Sequence, residues 1–142
     1  MKITFTILTL FTSLSAMADC PDLQGTYQCQ DGEAKYEIEM NQKTSNGVTT
    51  YTSKKSFDEK TDTMVTDGNE RPEVLDGIVA VNTGYFCSGN ELKGVFQSTQ
   101  DEPFKITGEV VYKKTHAGLK TSMSFSVNGA PAGGEELHCN KK

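Results

Sequence analysis

The residues able to do chemistry in this 142-residue chain are few and widely spaced. Cys20, Cys29, Cys87 and Cys139 are the only thiols, and His116 and His138 the only imidazoles. An even number of cysteines behind an export signal points to two disulfides. A zinc site needs close ligand pairs, and the chain has neither Cys-x-x-Cys nor a paired histidine motif. No metal and no cofactor is expected. Each bridge should contribute about 2–4 kcal/mol, chiefly by restricting the unfolded chain. Three pairings of four cysteines are open, and spacing does not choose among them.

Catalysis finds no foothold. A hydrolase brings a nucleophile and a base together, but no serine lies in Gly-x-Ser-x-Gly. His116 falls at a turn tip, and His138 reads as an outward residue on the last strand. A glycosidase needs two facing carboxylates. Glu33, Glu37, Glu39 and Glu109 have the right type, yet strand parity puts them on the solvated face. The run Gly129–Gly134 lacks the Gly-Lys-Ser/Thr ending and following helix of a phosphate loop. Asp58–Asp62 has the wrong ligand spacing for calcium. The chain is read as not an enzyme.

What remains is a set of aromatics. Tyr27, Tyr36, Phe96, Tyr112 and Phe125 fall on the apolar faces of their strands, where they either fill a core or line a pocket. Three of them are tyrosines, and each buried hydroxyl needs a hydrogen-bond partner.

The elements that position them are strands. In Ala34–Met40, Ala, Tyr, Ile and Met alternate with Glu, Lys, Glu and Glu, a separation that only a period of two achieves. Gln24–Gln30, Phe104–Lys113 and Leu119–Asn128 alternate in the same way. Asp31-Gly32, Asn46-Gly47, Ser88-Gly89-Asn90 and His116-Ala117-Gly118 are turn signals. Val48–Phe57 reads as a strand with much solvated surface. A short hairpin near Asp58 and an exposed edge or loop follow. Gly84 suggests a bulge. Asn128–Gly134 reads as a flexible loop, Glu135–Cys139 as a short last strand, and Asn140–Lys142 as a tail.

These strands predict an all-β fold, an antiparallel up-and-down barrel of eight to ten strands, with a β-sandwich as the alternative. Each strand is apolar on one face only, and closing the sheet buries that face.

Met1–Ala18 reads as a secretory signal peptide. It has one lysine, an apolar Ile3–Leu14 stretch and the small-x-small sequence Ala16-Met17-Ala18. Cleavage near Ala18 leaves residues 19–142 as one barrel domain. It also removes Lys2, so the net charge moves from −5 to −6. An acidic chain with no basic stripe is a poor partner for nucleic acid. No integral membrane segment follows residue 18. The expected location is periplasmic or secreted. The expected role is structural or protein-interacting in the cell envelope. The alternative is a barrel that binds a small apolar ligand.

The opening Leu23-Gln24-Gly25-Thr26-Tyr27 resembles the Gly-x-Trp signature that begins the first strand of lipocalins and related calycin barrels. Gly25 takes the glycine slot and Tyr27 the aromatic slot, although the chain contains no Trp. The resemblance covers about five residues. It implies an up-and-down barrel and an apolar ligand inside it.

Overall fold

The computed structural model describes residues 19–75, 77, 79–100 and 103–142. The signal-peptide reading concerns residues 1–18 and lies outside the described residues. The described chain forms ten strands: β1 (Gly25–Asp31), β2 (Ala34–Ser45), β3 (Val48–Lys55), β4 (Thr61–Val65), β5 (Arg71–Leu75), β6 (Val79–Ser88), β7 (Glu91–Ser98), β8 (Ile106–Lys114), β9 (Gly118–Val127) and β10 (Ala130–Lys141). They make one antiparallel sheet in the order β4-β3-β2-β1-β10-β9-β8-β7-β6-β5. Every strand but one follows its sequence neighbour. The exception is the seam where β1 meets β10, and this seam curls the sheet into a barrel. β4 and β5 are not hydrogen-bonded to each other, so the wall is left unjoined between them.

The turns follow from backbone chemistry. Asn46-Gly47 and Asn128-Gly129 both take positive φ (51° and 75°, 51° and 80°), as two-residue hairpins of this type require. At the first hairpin Asp31 pairs with Ala34, so the central residues are Gly32 and Glu33, and Gly32 has the positive φ. The turn therefore lies one residue later than Asp31-Gly32 suggests.

Several local expectations need correction. The polar stretch after Asp58 contains two paired strands, β4 and β5, rather than only an edge or loop. Gly84 sits in an unbroken β6–β7 register opposite Val95. Its missing side chain instead makes room for the carbonyl of Gly68, which would stand 3.0 Å from a Cβ. The irregular register is at Pro131/Gly133, inside β10. The glycine-rich run is thus strand rather than loop, because Gly133 and Gly134 pair with Phe125 and Ser124. The supposed tail also pairs: Lys141 lies opposite Tyr27.

Both disulfides form, and they join Cys20 to Cys87 and Cys29 to Cys139. The second lies across a directly opposed pair on β1 and β10 and staples the seam. The first ties the segment before β1 to the end of β6. Leu23, from that segment, is fully buried among Tyr27, Met40, Tyr51, Met64, Leu92 and Leu119. This cluster packs shut the end of the barrel that holds the β2–β3, β6–β7 and β8–β9 turns. Two hydroxyls fasten the plug: Tyr27 Oη donates to the Leu23 carbonyl at 2.8 Å, and Tyr51 Oη donates to the Pro21 carbonyl at 2.5 Å.

Candidate ligand-binding face

Cross-strand register sorts every inward position. Tyr112 stands opposite Leu92 and Thr121, Val110 opposite Gly94 and Met123, and Gly108 opposite Phe96 and Phe125. The inner face is therefore a largely apolar wall from β7 to β10, interrupted by Thr121 and Glu135. It is not uniformly buried. At the plugged end Leu92, Leu119 and Cys139 are almost wholly covered. Further along, Ile106, Val110, Tyr112, Met123, Phe125, Val127 and Leu137 are half-buried although they face inward. Half of the interior is packed core, and the other half is a concave apolar surface that water reaches.

The five predicted lining residues divide along the same boundary. Tyr27 is fully buried and committed to the plug. Phe96 is 2% exposed and lies over Gly108, where a Cβ would meet its ring. Both fill space. Tyr112 and Phe125 are half-buried on the open wall. Tyr36 stands at the mouth, edge-to-face with Phe57 at 5.1 Å between centroids.

The sequence reading did not single out four further inward side chains: Tyr51, Glu73, Thr83 and Tyr85. Tyr85 alternates with Val81 and Thr83, a pattern that would have revealed it. Its hydroxyl donates to Glu73 Oε2 at 3.2 Å. Burial pushes the Tyr85 phenol far above its usual range, and the neighbouring Tyr112, Glu73 and Asp62 push it further. Tyr112 is raised by burial and by Asp62 and Glu73. At the mouth Tyr36 is raised by burial and by Asp31 and Glu135. Thr83 is 2% exposed, and its hydroxyl has no hydrogen-bond partner among the described residues. Such an orphan costs roughly 1–3 kcal/mol.

Two clefts lie on the outside. One of about 570 Å³ crosses β7–β10 and is lined by Val95, Gln97, Thr107, Glu109, Ser124 and Ser126 among others. The other, about 420 Å³, crosses β10, β1 and β2 beside Gln28, Gln30, Lys35, Glu37, His138 and Asn140. The named residues have outward register, but inward positions border the clefts too: Phe96, Gly108, Phe125 and Gly133 the first, Cys29 and Tyr36 the second. His138 is bound to Glu136 at 2.7 Å in this exposed setting.

No family model and no curated protein sequence matches the chain. Solved structures do. The chain is similar to one described as "REP1-NXSQ fatty acid transporter", with TM-score 0.53 and 14% identity over 85% of this chain and 96% of the other. It is also similar to fatty-acid-binding protein 1 of Echinococcus granulosus, with TM-score 0.51 and 11% identity over 83% and 96%. At such identities the likeness concerns the fold alone, an antiparallel β-barrel.

Proposed function

We propose that this chain is a non-catalytic binding barrel that carries a small apolar molecule along the inner faces of β8, β9 and β10. One observation carries the reading: the inward apolar side chains of these strands stay half-exposed while the plugged end is packed. A filled barrel acting only as an interaction domain would leave no reason for that wall. The fold neighbours described as a fatty acid transporter and a fatty-acid-binding protein support the carrier reading over the structural one. Two disulfides support a site of action outside the reducing cytoplasm. A periplasmic or secreted protein, released from its signal peptide near Ala18, fits that chemistry.

The test is a thermal melt of residues 19–142 with single-chain amphiphiles of increasing length, alongside displacement of a neutral naphthylamine dye. A ligand at a hundredfold excess over its Kd should add about 2.7 kcal/mol of stability. Met123→Asp, on the half-buried wall and outside the core cluster, should remove the shift without unfolding the plug. If no chain length raises the melting temperature or displaces the dye, the carrier reading fails.

A further inference from the structure

Charges on the inner face are equal in number but not paired in place. Asp31, Asp62, Glu73 and Glu135 have inward register, opposite Ala34, Ser53, Val81 and Met123. Four cations share that register: Lys55, Arg71, Lys114 and Lys141, the last opposite Tyr27 at the plugged end. Arg71 is committed to Asp67 by paired bonds of 2.8 and 2.6 Å. Lys114 pairs with Asp22 beside the plug at 3.8 Å. Lys55 lies 5.8 Å from the Phe57 ring, at the mouth. Asp62 is partnered by Lys60 at 3.6 Å. Glu73, deeper in, forms no ion pair among the described residues and holds only the Tyr85 hydroxyl.

Glu73 is opposite Val81, and its carboxylate reaches Tyr85, four residues along β6. Thr83 lies between those two positions on the same inward face, opposite Arg71, and its buried hydroxyl has no partner among the described residues. Tyr85 and Tyr112 add aromatic surface beside it. A half-buried carboxylate, two phenol rings and a buried hydroxyl oxygen form a seat for a cation at the edge of the packed core. Ammonium groups are drawn to carboxylates and to the faces of aromatic rings. A fatty-acid carboxylate placed there would meet like charge.

We propose that the ligand is an organic ammonium on an apolar chain, its head seated against Glu73, Tyr85 and the Thr83 hydroxyl. The tail runs toward the mouth over Val110, Met123 and Phe125. This rests on the carrier reading and adds the sign of the head group.

The experiment compares dodecylammonium, dodecanol and dodecanoate, each below its micelle concentration, by calorimetric titration of residues 19–142. Dodecylammonium should bind about tenfold more tightly than dodecanol, and dodecanoate more weakly than both. Glu73→Gln should erase the preference for the ammonium over dodecanol. Thr83→Val, which keeps the side-chain shape, should weaken ammonium binding several-fold. If Glu73→Gln does not fold, the head-group order of the natural chain and Thr83→Val decide. Dodecanoate binding as tightly as dodecylammonium overturns the proposal and leaves the carrier reading intact. So does a head-group order unchanged in Glu73→Gln. Absence of binding by all three overturns both.

Discussion

At the scale of single residues, the tyrosines carry the information. Tyr51 shows how a hydroxyl converts burial into a defined contact. It is fully buried and donates to the Pro21 carbonyl, and burial with the nearby Asp22 carboxylate pushes its pKa up to about 12. The sign follows from linkage. The unfolded phenol ionises near pH 10 and the folded one later, so Tyr51 stabilises the fold fully below pH 10. That contribution fades as pH rises from 10 toward 12. The melting temperature should fall across this window, with phenolate absorbance appearing only as the chain unfolds. Tyr51→Phe should lower stability at pH 7 by roughly 1–2 kcal/mol, because the Pro21 carbonyl loses its donor. It should also flatten part of the alkaline decline. A melt insensitive to pH between 9 and 12 would contradict this account. Tyr51 was hard to find in the sequence. Threonine, serine and lysine around it give Val48–Lys55 a solvated look, and its neighbours Thr49 and Ser53 turn out to be buried as well.

At the scale of elements, alternation made most strands legible and failed where glycine or charge interrupted it. Ala34–Met40 and Leu119–Val127 are strands because apolar and polar residues separate completely at a period of two. β4 and β5 were obscured by their short length and high charge. The start of β10 was obscured because Gly133 and Gly134 imitate a loop. Glycine there is a packing requirement: a Cβ on Gly133 would stand 3.1 Å from the Phe125 ring. Gly118, at the head of β9, is more tightly held. A side chain on it would press on the Cys139 carbonyl and stand 2.6 Å from the Lys141 nitrogen. Backbone cannot swing aside as a flexible side chain can. Gly118→Ala should therefore cost about 1–3 kcal/mol through overpacking, read as a lower denaturant midpoint. The lost protection in hydrogen exchange should fall on β9 and β10 first. The candidate site was half legible for a related reason. Parity placed Tyr112 and Phe125 on the inner face, but parity does not say which inward residues are packed. The plug from Cys20–Leu23 decides that, and no periodicity announces it.

At the scale of the whole molecule, two long-range bridges hold a sheet whose first and last strands share a short ladder. β1 and β10 are matched at only three positions, Tyr27–Lys141, Gln28–Asn140 and Cys29–Cys139. Replacing Cys29 and Cys139 together by alanine should therefore cost about 2–5 kcal/mol. Amide exchange should then rise along β1 and the end of β10 before it rises in β6–β8. Uniform loosening of all strands would contradict a weak seam. The spans these bridges enclose, 67 and 110 residues, also govern how the protein is made. On a chain crossing a membrane from its amino end, Cys29 is available long before Cys139 emerges, and its nearest thiol is Cys20. An oxidant acting in order of appearance would join those two first, a link the finished molecule does not contain. For a chain exported in that order, correct assembly would require thiol exchange once Cys139 has emerged, the kind of step a disulfide isomerase catalyses.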